Sequence, residues 1–254
     1  MGLFMPFQKL IEITKTQPYP LLFATVSGAH LYGFPSHDSD YDLRGVHVLP
    51  VKEVIGLEIG RETLEIAEFR GDLELDLVTH DVKKFFGMLL KKNGYVLEQL
   101  YSPLIVHTTP EHEELKIIAR QCITRHHVHH YLGFAQSQWQ LFSKQNPPKV
   151  KPLLYIYRVL LTGIYLMQTG VLEADLVELN KIFDLTYLSD LIAFKLLGAE
   201  KVVLPELNLI FHHQEYNRLC NELKEASHNS SLPEIPSCKN KLNDLLLRIR
   251  LQFS

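Results

Sequence analysis

The first half of the chain alternates between the apolar spacing of helices and that of strands. Residues 4–11 carry apolar side chains at helical spacing and predict a short amphipathic helix. Residues 19–26 form a compact apolar run that ends at a glycine-containing turn, which predicts a buried strand. Residues 41–49 alternate in polarity and predict a second strand, which ends before Pro50.

A third strand is predicted for residues 73–78, because leucines and carboxylates alternate there. The leucines direct one face of this strand into a core, so Glu74 and Asp76 share the opposite face. The following stretch has helical spacing, with Asp81 placed as the N-cap and Lys91 near the C-terminal end. We therefore expect a helix directly after the third strand.

Helical spacing dominates the second half of the chain, where strand signals are few. We predict an α/β (α+β) fold with a small mixed sheet and flanking helices in residues 1–108, followed by a helical domain in residues 109–254. The polar, proline-containing residues 229–236 have the composition of a surface loop. The predicted helical segments lie near residues 111–141, 151–169, 174–182, 185–197, 213–227 and 239–251.

The composition is that of a folded protein and narrows the choice of partners only slightly. Hydrophobic residues make up 46% of the chain and charged residues 22%, which excludes a disordered protein. The formal net charge is -3, so contact with nucleic acid requires a local basic patch. No stretch reaches the roughly 20 apolar residues that cross a bilayer, and the first residues lack a targeting pattern. We expect a cytoplasmic protein with no membrane partner.

Three widely spaced cysteines, Cys122, Cys220 and Cys238, match neither a disulfide framework nor a zinc site. We therefore expect reduced, buried thiols. The run RHHVHHYLG places His126 and either His129 or His130 on one helical face, which is one geometry of a zinc site. No HExxH glutamate accompanies these histidines, so surface residues of a helix are the favoured interpretation.

A pair of aspartates carries the main chemical signal. Asp40 and Asp42 stand at the entrance of the second predicted strand, and alternation puts both side chains on the same face. Asp76 lies on the corresponding face of the third strand and would complete a site of three carboxylates. Because neighbouring carboxylates repel each other unless a cation lies between them, the pattern indicates a Mg²⁺ site.

The residues around the aspartates fit binding of a nucleoside triphosphate. Gly28 and Gly33 flank a turn whose backbone could approach phosphate oxygens, since glycine has no Cβ to block them. Arg44 lies on the face of Asp42 and would either contact phosphate or neutralise the carboxylates. Metal ions at such a site would bridge triphosphate oxygens, which predicts nucleotidyl transfer.

Residues 28–45, with GAHLYG followed by SDYDLRGV, resemble the signature of the DNA polymerase beta-like nucleotidyltransferases. The sequence of these motifs is similar to that of a subgroup associated with RNA repair. The resemblance implies that Gly28 is the glycine of the family's GS pair and that Asp40, Asp42 and Asp76 hold two Mg²⁺ ions, with Mn²⁺ as a substitute. It also implies that an NTP such as ATP is the substrate and that residues 109–254 close a nucleotide cleft over a catalytic domain.

One position departs from this family pattern, because Ala29 stands where serine is usual. Ser27, before the glycine, is the alternative hydroxyl for a phosphate oxygen. The subgroup also has a lysine and a tyrosine-arginine pair before a helix, which implies that Lys149, Lys151 and Arg158 reach the triphosphate. The alternative for these three residues is a core helix with solvated charges.

The acceptor of the nucleotide stays open at this point. The resemblance favours an RNA end, and the alternatives are a hydroxyl of a protein side chain or of a small molecule. A first rival function is a catalytically inactive regulatory module that binds nucleotide or protein, which Ala29 favours. A second rival is an antitoxin-like nucleotidyltransferase that modifies a partner protein.

Overall fold

A mixed five-stranded sheet lies in the N-terminal half of the protein. The computed structural model describes residues 4–37, 39–70, 73–197 and 209–253. The strands lie in the order β3-β4-β2-β1-β5, with β2 and β4 parallel and the other neighbours antiparallel. The predicted α/β class is confirmed. The strands are β1 (Leu21–Val26), β2 (Tyr41–His47), β3 (Thr63–Arg70), β4 (Leu73–Asp81) and β5 (Ile105–His107).

The predicted alternation of β4 is confirmed. Leu75 and Leu77 are each 1% exposed, whereas Asp76 is half-buried and Glu74 is exposed on the opposite face. All six residues of β1 are buried, as a strand between two neighbours requires. Leu43 of β2 and Leu10 of the first helix join the leucines of β4 in one hydrophobic core.

Most helices lie close to their predicted positions. The predicted single segment at residues 111–141 is wrong, because 3-10 turns at Arg120–Cys122 and Arg125–His127 divide it. In the described residues the helices are α1 (Phe4–Lys15), α2 (Gly28–Leu31), α3 (Val51–Ile55), α4 (Val82–Leu90), α5 (Gly94–Tyr101), α6 (Pro110–Ala119), α7 (Val128–Phe142), α8 (Val150–Thr169), α9 (Leu176–Phe183), α10 (Thr186–Leu197), α11 (Leu209–His228) and α12 (Lys239–Gln252).

The contacts divide the chain into two compact units. The first unit contains residues 1–28, 40–122 and 235–254, and the second contains residues 29–39 and 123–234. In the second unit α8 is the central helix, because α7, α9, α10 and α11 all pack against it. The predicted domain ranges 1–108 and 109–254 differ from these contact units and stay a prediction.

An ion pair fastens α12 inside the first unit. The predicted N-cap is confirmed, since Asp81 accepts a hydrogen bond from the backbone N–H of Lys83. The same carboxylate accepts two bonds from the Arg250 guanidinium, at 2.5 and 2.7 Å, and Arg250 also donates to the Leu49 carbonyl. Asp81 and Arg250 are both buried, so the loss of either side chain would leave the other as an uncompensated charge.

Two of the three cysteines form a disulfide, so the expectation of three reduced thiols is wrong. Cys122 and Cys238 lie 116 residues apart in sequence, and their Cα atoms are 5.7 Å apart. Sequence spacing could not show this pairing, because it depends on α12 returning to the first unit. Cys220 is a free, buried thiol, as expected.

Helix α8 is long and apolar enough to cross a membrane by length and composition alone. The sequence reasoning had found no such stretch. However, 78% of its apolar window is buried inside the protein. This burial is what the central helix of a helical unit shows, and Gly170 in the left-handed conformation ends the helix.

Candidate active site

The structure brings two of the predicted carboxylates together. Asp42 of β2 and Asp76 of β4 are direct partners in the parallel ladder, so their side chains stand on the same face of neighbouring strands. Their side chains are 20% and 41% exposed, which leaves both carboxylates accessible to a ligand.

Arg44 connects these two carboxylates. One of its terminal nitrogens donates to Asp42 Oδ1 at 2.7 Å and to Asp76 Oδ2 at 2.8 Å. The other donates to the backbone carbonyls of Asp76 and Leu43, and Nε donates to the Tyr95 hydroxyl. Burial alone lowers the pKa of Arg44, but Tyr95 and the two aspartates outweigh this effect and raise it. Arg44 thus pairs with both carboxylates, and its predicted contact with phosphate stays a prediction.

Gly28 lies directly against Asp42. The antiparallel ladder of β1 and β2 continues for one bond past the strand end, where the Ser27 N–H donates to the Asp42 carbonyl at 2.8 Å. The next residue, Gly28, has a positive φ of 62°, and a Cβ there would lie 1.8 Å from Asp42 Oδ2. Only glycine fits this position, both in backbone conformation and in space.

The serine before this glycine is buried, and its Oγ has no hydrogen-bond partner among the described residues. A buried hydroxyl without a partner is unfavourable, so the position of Ser27 beside Gly28 and Asp42 favours an interaction with a ligand. Ala29 is buried and supplies no hydroxyl. The role predicted for Ser27 stays a prediction with this support.

Asp40 directly precedes β2 and is half-buried. Across residues 4–37, 39–70, 73–197 and 209–253, no group of three or more His, Cys, Asp or Glu side chains is arranged to hold a metal ion. The oxygen donors of Asp42 and Asp76 nevertheless fit Mg²⁺, which prefers carboxylate ligands and keeps several waters. The three-carboxylate site that includes Asp40 stays a prediction.

The segment after Gly28 belongs to the helical unit. The Arg158 guanidinium lies 3.9 Å above the Tyr32 ring, in a cation-π contact. The Tyr32 carbonyl accepts a bond from the Leu176 N–H at the start of α9. A Cβ on Gly33 would lie 2.1 Å from an oxygen of Asp175, the N-cap of α9. Gly33 is therefore required for packing on this N-cap, and its predicted contact with phosphate stays untested.

The three basic residues assigned to the triphosphate occupy different environments. Lys149 is the N-cap residue of α8 and, like Lys151 in the first turn, is half-buried. Arg158 is 2% exposed and stacks on Tyr32. Their predicted role in binding the nucleotide remains a prediction.

The histidine run does not converge on one point. The rings of His126 and His129 stack with centroids 5.8 Å apart, whereas His127 is buried and caps its 3-10 turn. Burial, with a smaller effect of Arg158, lowers the pKa of His130 to about 4. His47 lies at the other end of β2 from Asp42 and is buried against Thr79 and the Arg61 carbonyl, so its role is structural.

Sequence reasoning missed two residues of this region. Tyr95 binds Arg44 from α5, 51 residues later in the chain, and no local pattern indicates that contact. Lys195 of α10 is completely buried and binds Ser36. A lysine within an apolar helical stretch was the available signal, because lysine is seldom buried without a specific partner.

The strand pairing, the carboxylates and the adjacent glycine fit a nucleotidyltransferase-like protein of the DNA polymerase beta type. The sequence pattern of the RNA repair pathway DNA polymerase beta family matches residues 7–248, and the chain belongs to this family. The family resemblance expected from the sequence is confirmed.

Two relatives share about a third or fewer of the aligned residues. An uncharacterized protein of Methanocaldococcus jannaschii is 34% identical over 156 residues, covering 61% of this chain and 63% of the relative. The uncharacterized protein YcgL of Bacillus subtilis is 27% identical over 167 residues, covering 65% of this chain and 63% of the relative. The chain thus matches less than two thirds of the length of either relative.

A solved structure of a nucleotidyltransferase-like protein from Exiguobacterium sibiricum aligns with 99% of this chain and 80% of its own. The sequence identity is 14% and the TM-score is 0.36. This likeness is too distant to carry an argument about the site.

Proposed function

We propose that the protein transfers a nucleoside monophosphate from an NTP to an acceptor hydroxyl, with Mg²⁺ or Mn²⁺ held by Asp40, Asp42 and Asp76. The observation that carries this proposal is the pairing of Asp42 with Asp76 beside Gly28, in a chain of this family. The glycine lets the backbone of the turn lie directly against the Asp42 carboxylate. This is an enzyme of nucleotidyltransferase type.

The proposed transfer breaks a phosphoanhydride bond of the NTP and forms a phosphate ester bond to the acceptor. The acceptor oxygen forms a bond to the α-phosphorus, the bond from that phosphorus to pyrophosphate breaks, and the acceptor proton passes to water. Bound metal ions would supply neutralisation of the triphosphate charge. Arg44 holds the two carboxylates in place, and the buried Ser27 hydroxyl is available to a phosphate oxygen.

The basic residues of α8 have separate roles in this proposal. Lys149 is the N-cap residue of α8 and Lys151 lies in its first turn, and the family resemblance assigns both to the triphosphate. Arg158 acts indirectly, because its guanidinium holds the Tyr32 ring, which belongs to the segment between Gly28 and Asp40.

An RNA end is the proposed acceptor, and ATP is the proposed donor. The family's description as part of an RNA repair pathway supports RNA as the acceptor. A hydroxyl of a protein side chain is the competing acceptor. Transfer to protein would support the antitoxin-like alternative, whereas transfer to RNA would support RNA modification.

A second candidate is a binding module without catalysis, and Arg44 favours it. Two adjacent aspartates without a counter-charge would be costly to keep, which argues for a metal. Here the Arg44 guanidinium pairs with both carboxylates and offsets one of their two charges, so the pair is less costly to keep without a metal. The carboxylates alone therefore do not require catalysis.

The test is transfer of label from each NTP, labelled at its α-phosphate, to pools of RNA and protein with Mg²⁺ or Mn²⁺. Asp42→Asn and Asp76→Asn should abolish transfer. Glu74→Gln is the matched control, because this carboxylate lies on the same strand and face but is exposed. The enzyme proposal predicts that this control retains activity.

Nucleotide binding by calorimetry separates the two candidates. Binding without any transfer would support the module. A wild-type protein that neither binds NTP nor transfers label would overturn both proposals, whereas equal loss in the Glu74→Gln control would refute the assignment of Asp42 and Asp76.

A further inference from the structure

Lys195 is a charged residue in an unusual place. Its side chain in α10 is 0% exposed, and its ammonium donates to Ser36 Oγ at 2.5 Å. Burial of an ammonium group is unfavourable unless hydrogen bonds compensate for the lost water. An apolar side chain would fill the same space without that cost. The ammonium at Ser36 therefore indicates a requirement beyond packing.

The donor and acceptor of each hydrogen bond around Ser36 can be assigned, starting from Lys195. An ammonium group has donors and no acceptor, so Ser36 Oγ must accept from Lys195 and can direct its own hydrogen to Ser39 Oγ, 3.1 Å away. The Ser36 N–H donates to the same Ser39 hydroxyl at 3.0 Å, and the Ser39 N–H returns a bond to the Ser36 carbonyl. Lys195 thus orients both serines.

These serines stand directly before the predicted site in the chain. Asp40, the first of the three carboxylates, is the residue after Ser39. The start of the same segment is already held in the helical unit, since Arg158 stacks on Tyr32 and Asp175 packs on Gly33. Lys195 holds the other end of this segment through its hydrogen bond to Ser36.

We propose that Lys195 is a positioning residue for nucleotidyl transfer, which acts through Ser36 and Ser39 to fix the backbone that presents Asp40 to the metal ions. The inference rests on the proposed function. Catalytic and metal-binding groups need to be held within a fraction of an ångström, and they depend on supporting residues for that precision. A neutral side chain at position 195 would fill the space but release this control.

The test measures binding of Mn²⁺ by electron paramagnetic resonance, together with thermal unfolding and transfer kinetics. Lys195→Met removes the charge at similar length, and Ser36→Ala removes the acceptor while retaining the lysine. Both variants should bind Mn²⁺ about 10- to 100-fold more weakly and lose kcat by a similar factor, as small misplacements of reacting groups do. The KM for NTP should change less than kcat, because Lys195 and Ser36 act on the position of Asp40 and are not assigned a contact with the nucleotide.

Leu188→Ala is the matched control for general damage to α10. This fully buried leucine lies in the same helix and carries no charge or polar side-chain atom. The variant should unfold at lower temperature, because it leaves a cavity, but should bind Mn²⁺ as tightly as the wild type. Equal weakening in Leu188→Ala and Lys195→Met would overturn the proposal, since the effect would then come from packing.

The double variant tests the route through the serine. If Lys195 acts through Ser36, the two changes together should weaken Mn²⁺ binding no more than either alone. If the fold-changes in Mn²⁺ affinity of the two single variants multiply in the double variant, the proposed route through Ser36 is wrong. If Lys195→Met does not fold, Ser36→Ala carries the test by itself.

Wild-type Mn²⁺ affinity in both single variants would overturn this inference and leave the proposed function intact. Absence of Mn²⁺ binding to the wild type would instead overturn the proposed function together with the inference.

Discussion

Removal of Arg44 should destabilise the protein strongly, because one side chain binds two carboxylates, two backbone carbonyls and the Tyr95 hydroxyl. Arg44 is 8% exposed and binds Asp42, Asp76 and two backbone carbonyls. In Arg44→Met these partners lose their donors, and two carboxylates on neighbouring strands face each other without a counter-charge.

The magnitude follows from the burial of each contact. The bond to the mostly buried Asp42 is worth about 2 kcal/mol, as for other hydrogen bonds to charged groups. Asp76 is 41% exposed, so water screens its pair and the contribution is at most about 1 kcal/mol. With the two carbonyls, we expect a loss of about 3 to 5 kcal/mol in the free energy of unfolding, the range for breaking a buried ion pair.

Urea denaturation of the wild type and the variant measures this loss. Arg248→Met is the matched control, because Arg248 pairs with Glu114 and Asp244 at the surface and should contribute little. Arg44→Lys should give an intermediate value, since lysine keeps the charge but loses the planar fork. A loss below about 1 kcal/mol in Arg44→Met would refute the argument that this arginine holds the carboxylates.

Mg²⁺ adds a second measurement on the same variant. If Asp42 and Asp76 bind a divalent cation, Mg²⁺ at ten times its dissociation constant should restore about 1.4 kcal/mol to Arg44→Met. No stabilisation of the variant or the wild type by Mg²⁺ would argue against a metal site at this pair.

Three further predictions concern the fold around the site. Arg250→Met should lower the free energy of unfolding by about 3 to 5 kcal/mol in urea, because it leaves the buried Asp81 without its partner; a loss near zero would contradict this. Gly28→Ala should abolish NTP binding in calorimetry and cost at least about 1 to 2 kcal/mol of stability, since φ is positive and a Cβ would collide with Asp42. Burial, with a smaller effect of Lys116, lowers the pKa of His112 from 6.5 to about 4. Between these two pH values the unfolded chain binds a proton at His112 and the folded protein does not. The free energy of unfolding should therefore fall as the pH drops from 6.5 to about 4. His112→Gln should therefore flatten the pH dependence of urea midpoints, and an unchanged slope would refute the assignment.

Residues with strong local patterns were predicted well from the sequence. The leucine and carboxylate alternation of β4 fixed the face of Asp76, and the run in residues 19–26 identified β1. Asp81 was recognised as an N-cap because its signal lies within three residues. In each case the same residues that form the pattern also make the decisive contacts.

Elements stabilised by distant partners were missed. β3 (Thr63–Arg70) is an edge strand with glutamates at Glu65 and Glu68, and pairing with β4 determines its conformation more than its own pattern does. β5 has three residues, which is too short for a periodic signal. The return of α12 to the first unit depends on Arg250 and Cys238, whose partners lie more than a hundred residues earlier.

The same distinction between local patterns and distant partners applies to the candidate site. Asp42, Asp76 and Gly28 could be found because a turn, a pair of strands and a short motif place them, whereas the charge balance around them could not. Whether Arg44 faces phosphate or the carboxylates depends on Tyr95 and on the Asp76 carbonyl, which only the folded sheet brings within reach. Sequence can therefore indicate which acids lie together on the sheet, but the groups that pair with and orient those acids come from tertiary contacts.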